Sequence, residues 1–175
     1  MFTLVTGGSG SGKSEFAENR TLAYSSEGLL YIATMFPFDE EAYRKIERHR
    51  KMREEKHFTT LECFTGLAHL TKMEGETALL DCMSNYVANE MYQEQGAKEG
   101  TVDAVKEGIN HLLKNCSNLV VVTNEVFSDG IDYDEETNRY LRYLGEINTW
   151  MASKADEVIE VVYSIPVYHK RKCVK

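Results

Sequence analysis

The chain has little of what would build a protein by means other than a packed core. Two of its 175 residues are proline and twelve are glycine, which excludes collagen-like and proline-rich low-complexity structure. Its four cysteines, Cys63, Cys82, Cys116 and Cys173, form no C-x-x-C pair and no Cys/His group with zinc spacing. Cys82 lies in an apolar run and reads as a small buried thiol. A reducing, cytoplasmic setting is the expectation. A basic surplus is missing too: 20 Lys and Arg stand against 28 Asp and Glu, a net charge of −8. A protein that neutralises many phosphates carries the opposite balance, so nucleic acid is not the expected partner. No apolar run approaches the roughly 18 residues of a spanning helix, so no membrane span is expected. Met1 to Thr6 runs straight into Gly7 and Gly8, so no signal segment is expected.

What is present suits a globular domain. Hydrophobic residues make up 42%, with ten Tyr, seven Phe and one Trp. A chain of this length buries roughly 70% of the surface it exposes when unfolded. Residues 1–175 therefore read as one domain. Short apolar runs at Phe2–Thr6, Leu29–Thr34, Thr77–Asp81, Leu119–Asn124 and Val158–Tyr163 read as strands covered on both faces. Helical patterns lie between them, at Lys13–Tyr24, Asp39–Lys56, Ser84–Gln95, Val102–Asn115 and Glu135–Lys154. This alternation predicts an α/β fold with a mostly parallel sheet flanked by helices. His57–Phe64 reads as a further short strand, Gln95–Thr101 as a loop, and Lys170–Lys175 as a frayed, solvated tail.

One motif carries chemistry by itself. Gly7-Gly8-Ser9-Gly10-Ser11-Gly12-Lys13-Ser14 fits G-x-x-x-x-G-K-[ST], directly after a predicted strand and at the start of a helix. Glycines let the backbone curl so that several N–H groups face phosphate oxygens. The helix that follows adds its positive end. Lys13 would reach the β- and γ-phosphates, and the Ser14 hydroxyl would help hold Mg²⁺. Asp81, closing an apolar strand, is the candidate second metal support, although an Asp there is also a common turn residue.

A second feature is ambiguous on its own. From Arg44 to Lys56 there are seven basic and three acidic residues, a local +4 inside an acidic chain. At 100° per residue Ala42, Ile46, His49 and Arg53 share one narrow face. Spacing leaves two readings open. The histidine packs against the core of a solvated helix, or it faces a nucleotide while arginines neutralise phosphate. In the second case a neutral imidazole could attack phosphorus.

The ordered set of segments resembles the bifunctional adenosylcobinamide kinase / adenosylcobinamide-phosphate guanylyltransferase family of cobalamin biosynthesis. The matching pieces are Val5 to Ser14 with Ala17-Glu18, then Tyr31-Ile32-Ala33-Thr34. Further along come Asp39 through Ile46, His49, Arg50 and Arg53 to Thr60 and Glu62, then Leu80-Asp81-Cys82 with Asn89, and Val122 to Val126. The set closes with Gly145, Asn148, Ala152, Ala155-Asp156 and Ile165-Pro166. The resemblance implies a RecA-like P-loop fold and a homotrimer. It implies phosphorylation of adenosylcobinamide with ATP or GTP, then GMP transfer from GTP to adenosylcobinamide phosphate through a GMP-histidine. It assigns that histidine to His49. Nucleotide contacts fall on Gly7, Gly8, Ser9, Gly10, Ser11, Gly12, Lys13 and Ser14, on Ala33, Thr34 and Met35, on Arg50, Lys51, Met52 and Arg53, and on Glu62 and Asp81. Other readings are a plain P-loop small-molecule kinase with no covalent step and a nucleotide-gated binding protein. A GTPase switch would show N-K-x-D, which Asn124-Glu125-Val126-Phe127 does not supply.

Overall fold

The structure, a computed structural model, describes residues 1–25, 27–38, 40–71, 76–128, 130–131 and 133–172; the side chains of Ala42, Lys45, His49 and Met52 lie outside that description. Among the described residues seven strands form one sheet. They are β1 (Phe2–Thr6), β2 (Leu29–Ala33), β3 (Thr59–Glu62), β4 (Thr77–Leu80), β5 (Asn118–Val122), β6 (Glu157–Val162) and β7 (Ile165–Arg171). Their order across the sheet is β3-β2-β4-β5-β1-β6-β7. All pairings are parallel except β6 with β7. The helices are α1 (Lys13–Leu22), α2 (Glu40–Arg53), α3 (Met83–Tyr92), α4 (Thr101–Asn115) and α5 (Glu135–Lys154).

Period-two side chains explain why the central strands read as unbroken apolar runs. In β1, Phe2 and Leu4 face one core and Val5 the other; in β5, Leu119 and Val121 oppose Val120 and Val122. Both faces are covered, so a polar side chain there needs a partner, as Thr3 finds in the Tyr24 hydroxyl at 2.6 Å. The larger core takes the buried stripes Val105, Ile109 and Leu112 of α4 and Leu144, Ile147 and Met151 of α5. These spacings of three and four residues put each set on one helical face. Truncating the fully buried Ile109 to Ala would cost ~2–5 kcal/mol through lost transfer energy and a residual cavity. The N-terminus of α5 is closed by Asp134, whose carboxylate accepts from the Thr137 N–H at 2.9 Å, and that bond holds its pKa below the usual carboxylate value.

One expectation fails at the sheet edge. The tail expected to fray from Lys170 is instead β7 as far as Arg171, antiparallel to β6, with Val158 paired to Lys170 and Glu157 to Arg171. Lys172 adds an ion pair from Nζ to Asp156 at 2.8 Å; residues 173–175 lie outside the described chain. The connection is a two-residue turn at Tyr163 and Ser164, both at positive φ. That geometry suits the right-handed twist of a hairpin but usually announces itself with Asn or Gly.

Candidate functional site

The site lies at the C-terminal ends of the parallel strands. Chain leaving β1 turns through Gly7–Gly12 and enters α1 at Lys13. Gly12 sits at φ 88°, and a Cβ there would come 2.5 Å from Ser164 Oγ, so only glycine fits. The hairpin turn thus leans on the phosphate loop, and the Ser164 N–H donates to Ser11 O at 2.8 Å. Lys13 is buried and folds back, its Nζ donating to Gly8 O at 2.9 Å. Burial lowers its pKa, only partly offset by the neighbouring Cys82 thiol. A cation short of counter-charge at the foot of a helix is a prepared anion site.

Two strands away across the sheet, β4 delivers Asp81. Its Oδ1 accepts from the Thr34 N–H at 3.0 Å and from Thr34 Oγ1 at 2.6 Å, while Oδ2 accepts from the Tyr31 hydroxyl at 3.4 Å. Thr34 is fully buried, and its carbonyl receives the Asn89 side-chain N–H at 2.7 Å. Burial, and then the Asp81 charge, drive the Tyr31 pKa far up, so this hydroxyl stays protonated and donates.

The third wall is α2. Among its described side chains only Ile46 and Arg53 are withdrawn from solvent. The Arg53 guanidinium carbon stacks 3.4 Å from the Tyr31 ring centre, and its Nε and Nη1 are buried without a hydrogen-bond partner. Arg50 pairs with Glu62 of β3 at 3.1 Å. Just beyond the helix, Lys56 pairs at 2.6 Å with Glu18 of α1, whose carboxylate is almost wholly buried.

These walls enclose one cleft with about 750 Å³ of empty space. Lys13, Ser14, Ala33, Met35, Arg50, Arg53, Glu62 and Asp81, all anticipated, line it. Thr34 lies beneath, clipping Asp81. Lys51 is exposed and off the lining. The backbone of His49 falls in α2 between Ile46 and Arg53, both of which line the cleft; the side chains of His49 and Met52 lie outside the described residues.

The family profile described as cobinamide kinase / cobinamide phosphate guanyltransferase, CobU, matches residues 3–168. This chain belongs to that family. The bifunctional adenosylcobalamin biosynthesis protein CobU of Escherichia coli K12 is 36% identical over 182 residues, covering 95% of this chain and 98% of the relative. Its counterpart in Salmonella typhimurium LT2 is 34% identical with the same coverage. Among solved structures, an ATPase domain matches over 98% of this chain and 77% of its own length, at 9% identity and a TM-score of 0.54, a likeness of fold alone. As a CobU-family member the chain is a transferase of cobalamin biosynthesis with a RecA-like P-loop fold, in which β5 separates the loop-bearing strand from the acid-bearing one.

The CobU-family site also contains residues that pattern reading left out. Tyr31 reads as a core residue in an apolar strand, and its phenol, in the middle of β2, is the polar mark. Asn85 stands in the first turn of α3, where a polar residue at a strand–helix junction was the available signal. Cys82, expected to be plain core, forms part of the cleft wall, its Sγ 3.1 Å from Ser84 Oγ. Among the described residues no group of three or more His, Cys, Asp or Glu is placed to hold a metal. Ser14 and Asp81 both line the cleft, and oxygen donors of this kind suit Mg²⁺, which takes one or two protein oxygens and completes its shell with water and substrate phosphates.

Proposed function

We propose that this chain performs two transfers over a single cleft within one domain, residues 1–175. In the first, the γ-phosphate of ATP or GTP passes to the hydroxyl of the aminopropanol arm of adenosylcobinamide. In the second, the neutral imidazole of His49 attacks the α-phosphorus of GTP and the bond to pyrophosphate breaks. The phosphate of adenosylcobinamide phosphate then displaces the imidazole, giving adenosyl-GDP-cobinamide. Double displacement spares the cleft from holding both bulky reactants in line at once.

The observation that carries this reading is the charge at opposite walls of the cleft. Lys13 is buried and short of counter-charge on the loop, and Arg53 is buried with unpartnered nitrogens one turn beyond His49 on α2. Anionic phosphate satisfies both. The loop N–H groups and Lys13 hold the phosphates, and Arg53, fixed by its stack on Tyr31, neutralises charge beside the attacked phosphorus. Ser14 and Asp81 are the residues that would hold Mg²⁺, which supplies charge neutralisation for departing phosphate.

A homotrimer is part of the reading. Edge strand β7 and its turn expose Tyr163 at 89% and Ile165 at 65%, with Val167 and Tyr168 beside them, an apolar surface that supports self-association. No helix among the described residues is long and apolar enough to cross a membrane, and we place the protein in the cytoplasm. Incubation with adenosylcobinamide, GTP and Mg²⁺, followed by mass analysis of the corrinoid, tests the function. Successive appearance of the phosphate and the GDP adduct is the expected result; an unchanged corrinoid contradicts it.

A further inference from the structure

A second groove opens beside the nucleotide cleft, and Glu62 lines both. Its empty space, about 1760 Å³, is more than twice that of the cleft. None of the nucleotide chemistry above uses it.

The groove has a fixed floor. Glu90, 2% exposed, accepts from the Gly66 N–H at 2.8 Å, the Ala97 N–H at 2.9 Å and the Tyr86 hydroxyl. One buried carboxylate therefore ties together the segment after β3, α3 and the approach to α4. The α4 side is equally close-packed, because a Cβ on Gly108 would lie 2.6 Å from Leu67 Cβ.

The mouth is aromatic. Phe36 packs between Phe38 and Phe64, with ring centres 4.9 and 5.1 Å away. Phe38, packed on Phe36, is 74% exposed beside the opening. The segment is shared with the nucleotide site, since Met35 lines the cleft and Phe36 the groove.

The rim is acidic. Glu94 and Glu107 line it and are exposed, Glu62 at its border with the cleft is paired with Arg50, and no Lys or Arg is among its described lining residues. That charge repels a nucleoside triphosphate. It suits a large cation with apolar faces and an amide-rich edge. A corrin ring carrying Co(III) is such a body: its faces are broad and apolar, its net charge is positive, and its peripheral amides both donate and accept. Gln93 and Gln95 on the lining offer the matching amide groups.

We propose that this groove seats the corrin ring of adenosylcobinamide, with the aminopropanol arm passing over Glu62 into the nucleotide cleft. The proposal rests on the kinase and guanylyltransferase reading and adds to it the place of the second substrate. Reach is consistent. Glu62 ends β3 and Asp81 follows β4, with β2 alone between them, so the rim and the phosphate region are separated by two strand spacings, roughly 10 Å. A flexible chain of single bonds ending in a hydroxyl covers such a gap. The acidic rim holds the cation, and the basic cleft holds the anion it reacts with.

Ala104 is half-buried on α4, lines the groove and does not line the cleft. Ala104→Trp should fill the groove, and the pair Glu94→Lys with Glu107→Lys should reverse its rim charge without changing its volume. Calorimetric titration of each with adenosylcobinamide is the test, run beside GTP titration and transfer of label from α-labelled GTP to the protein. The expected result is corrinoid binding at least tenfold weaker in both variants, with GTP affinity and self-labelling unchanged. Wild-type corrinoid affinity in the folded charge-reversal variant overturns the groove assignment and leaves the two-transfer reading intact. Absence of both corrinoid binding and self-labelling in the wild type overturns the two-transfer reading, and the groove assignment with it.

Discussion

The two walls of the nucleotide cleft are built on opposite principles. The loop wall grows from β1, in the interior of the sheet, with buried strands on either side, and meets the cleft through Lys13 and Ser14. The α2 wall is a charged, solvated helix whose main ties are at its C-terminal end, through Arg53 on Tyr31 and Lys56 on Glu18. In the proposed reaction the first would hold phosphate by shape and backbone N–H groups, and the second would supply the side chains that act on it. On that reading rigid backbone serves the part common to every nucleotide, and side chains the step particular to this reaction.

The largest effect should come from breaking the loop wall. Lys13→Ala should lower kcat/KM by ~10²–10³-fold in both transfers, as loss of one preorganised phosphate donor does, with little change in Tm. Steady-state assays with each corrinoid substrate check this. The same amine gives a pH signature. Its folded pKa lies below the unfolded value, so the unfolded chain binds more protons as pH rises between the two. Stability without nucleotide should rise through that alkaline window, while GTP affinity falls as Lys13 loses its charge. Lys13→Met should flatten both trends in parallel melting and titration series.

Breaking the α2 wall should separate the two reactions. Arg53→Ala should lower guanylyl transfer by ~10–100-fold and the kinase step less, and Arg53→Lys should not restore it, because an ammonium cannot reproduce the planar stack on Tyr31. Equal loss in both steps would place Arg53 with the loop instead. Lys56→Ala strips the partner from the buried Glu18 carboxylate and should cost about 3 kcal/mol in chemical denaturation, the Lys56 end being partly solvated. Lys56→Ala with Glu18→Gln should recover part of it. The smallest effect is a control away from both walls: Asp134→Ala removes the α5 cap, should lower Tm slightly, and should leave both activities unchanged.

The same contrast explains what the sequence made legible. β1, β2, β4 and β5 are apolar on both faces, so they announced themselves within a residue or two of their observed ends. The phosphate loop was readable because its physics demands particular residues at fixed spacing. β7 was not, because both its faces are largely exposed and its turn uses Tyr163-Ser164. Thr34 was anticipated as a nucleotide contact and lies buried beneath the cleft, holding Asp81. The stack of Arg53 on Tyr31 joins a helix to a strand more than twenty residues away, and no local pattern encodes such a meeting. The helical spacing did put Ile46 and Arg53 on one face, and both line the cleft.

The most direct test of the central claim is a short incubation of wild type and His49→Ala with α-labelled GTP and Mg²⁺, quenched in alkali and followed by peptide mapping. The account predicts acid-labile label on the peptide containing His49, none on the variant, and release of the label to adenosylcobinamide phosphate. Label retained by His49→Ala, or GDP-corrinoid made by an enzyme that never becomes labelled, would contradict it.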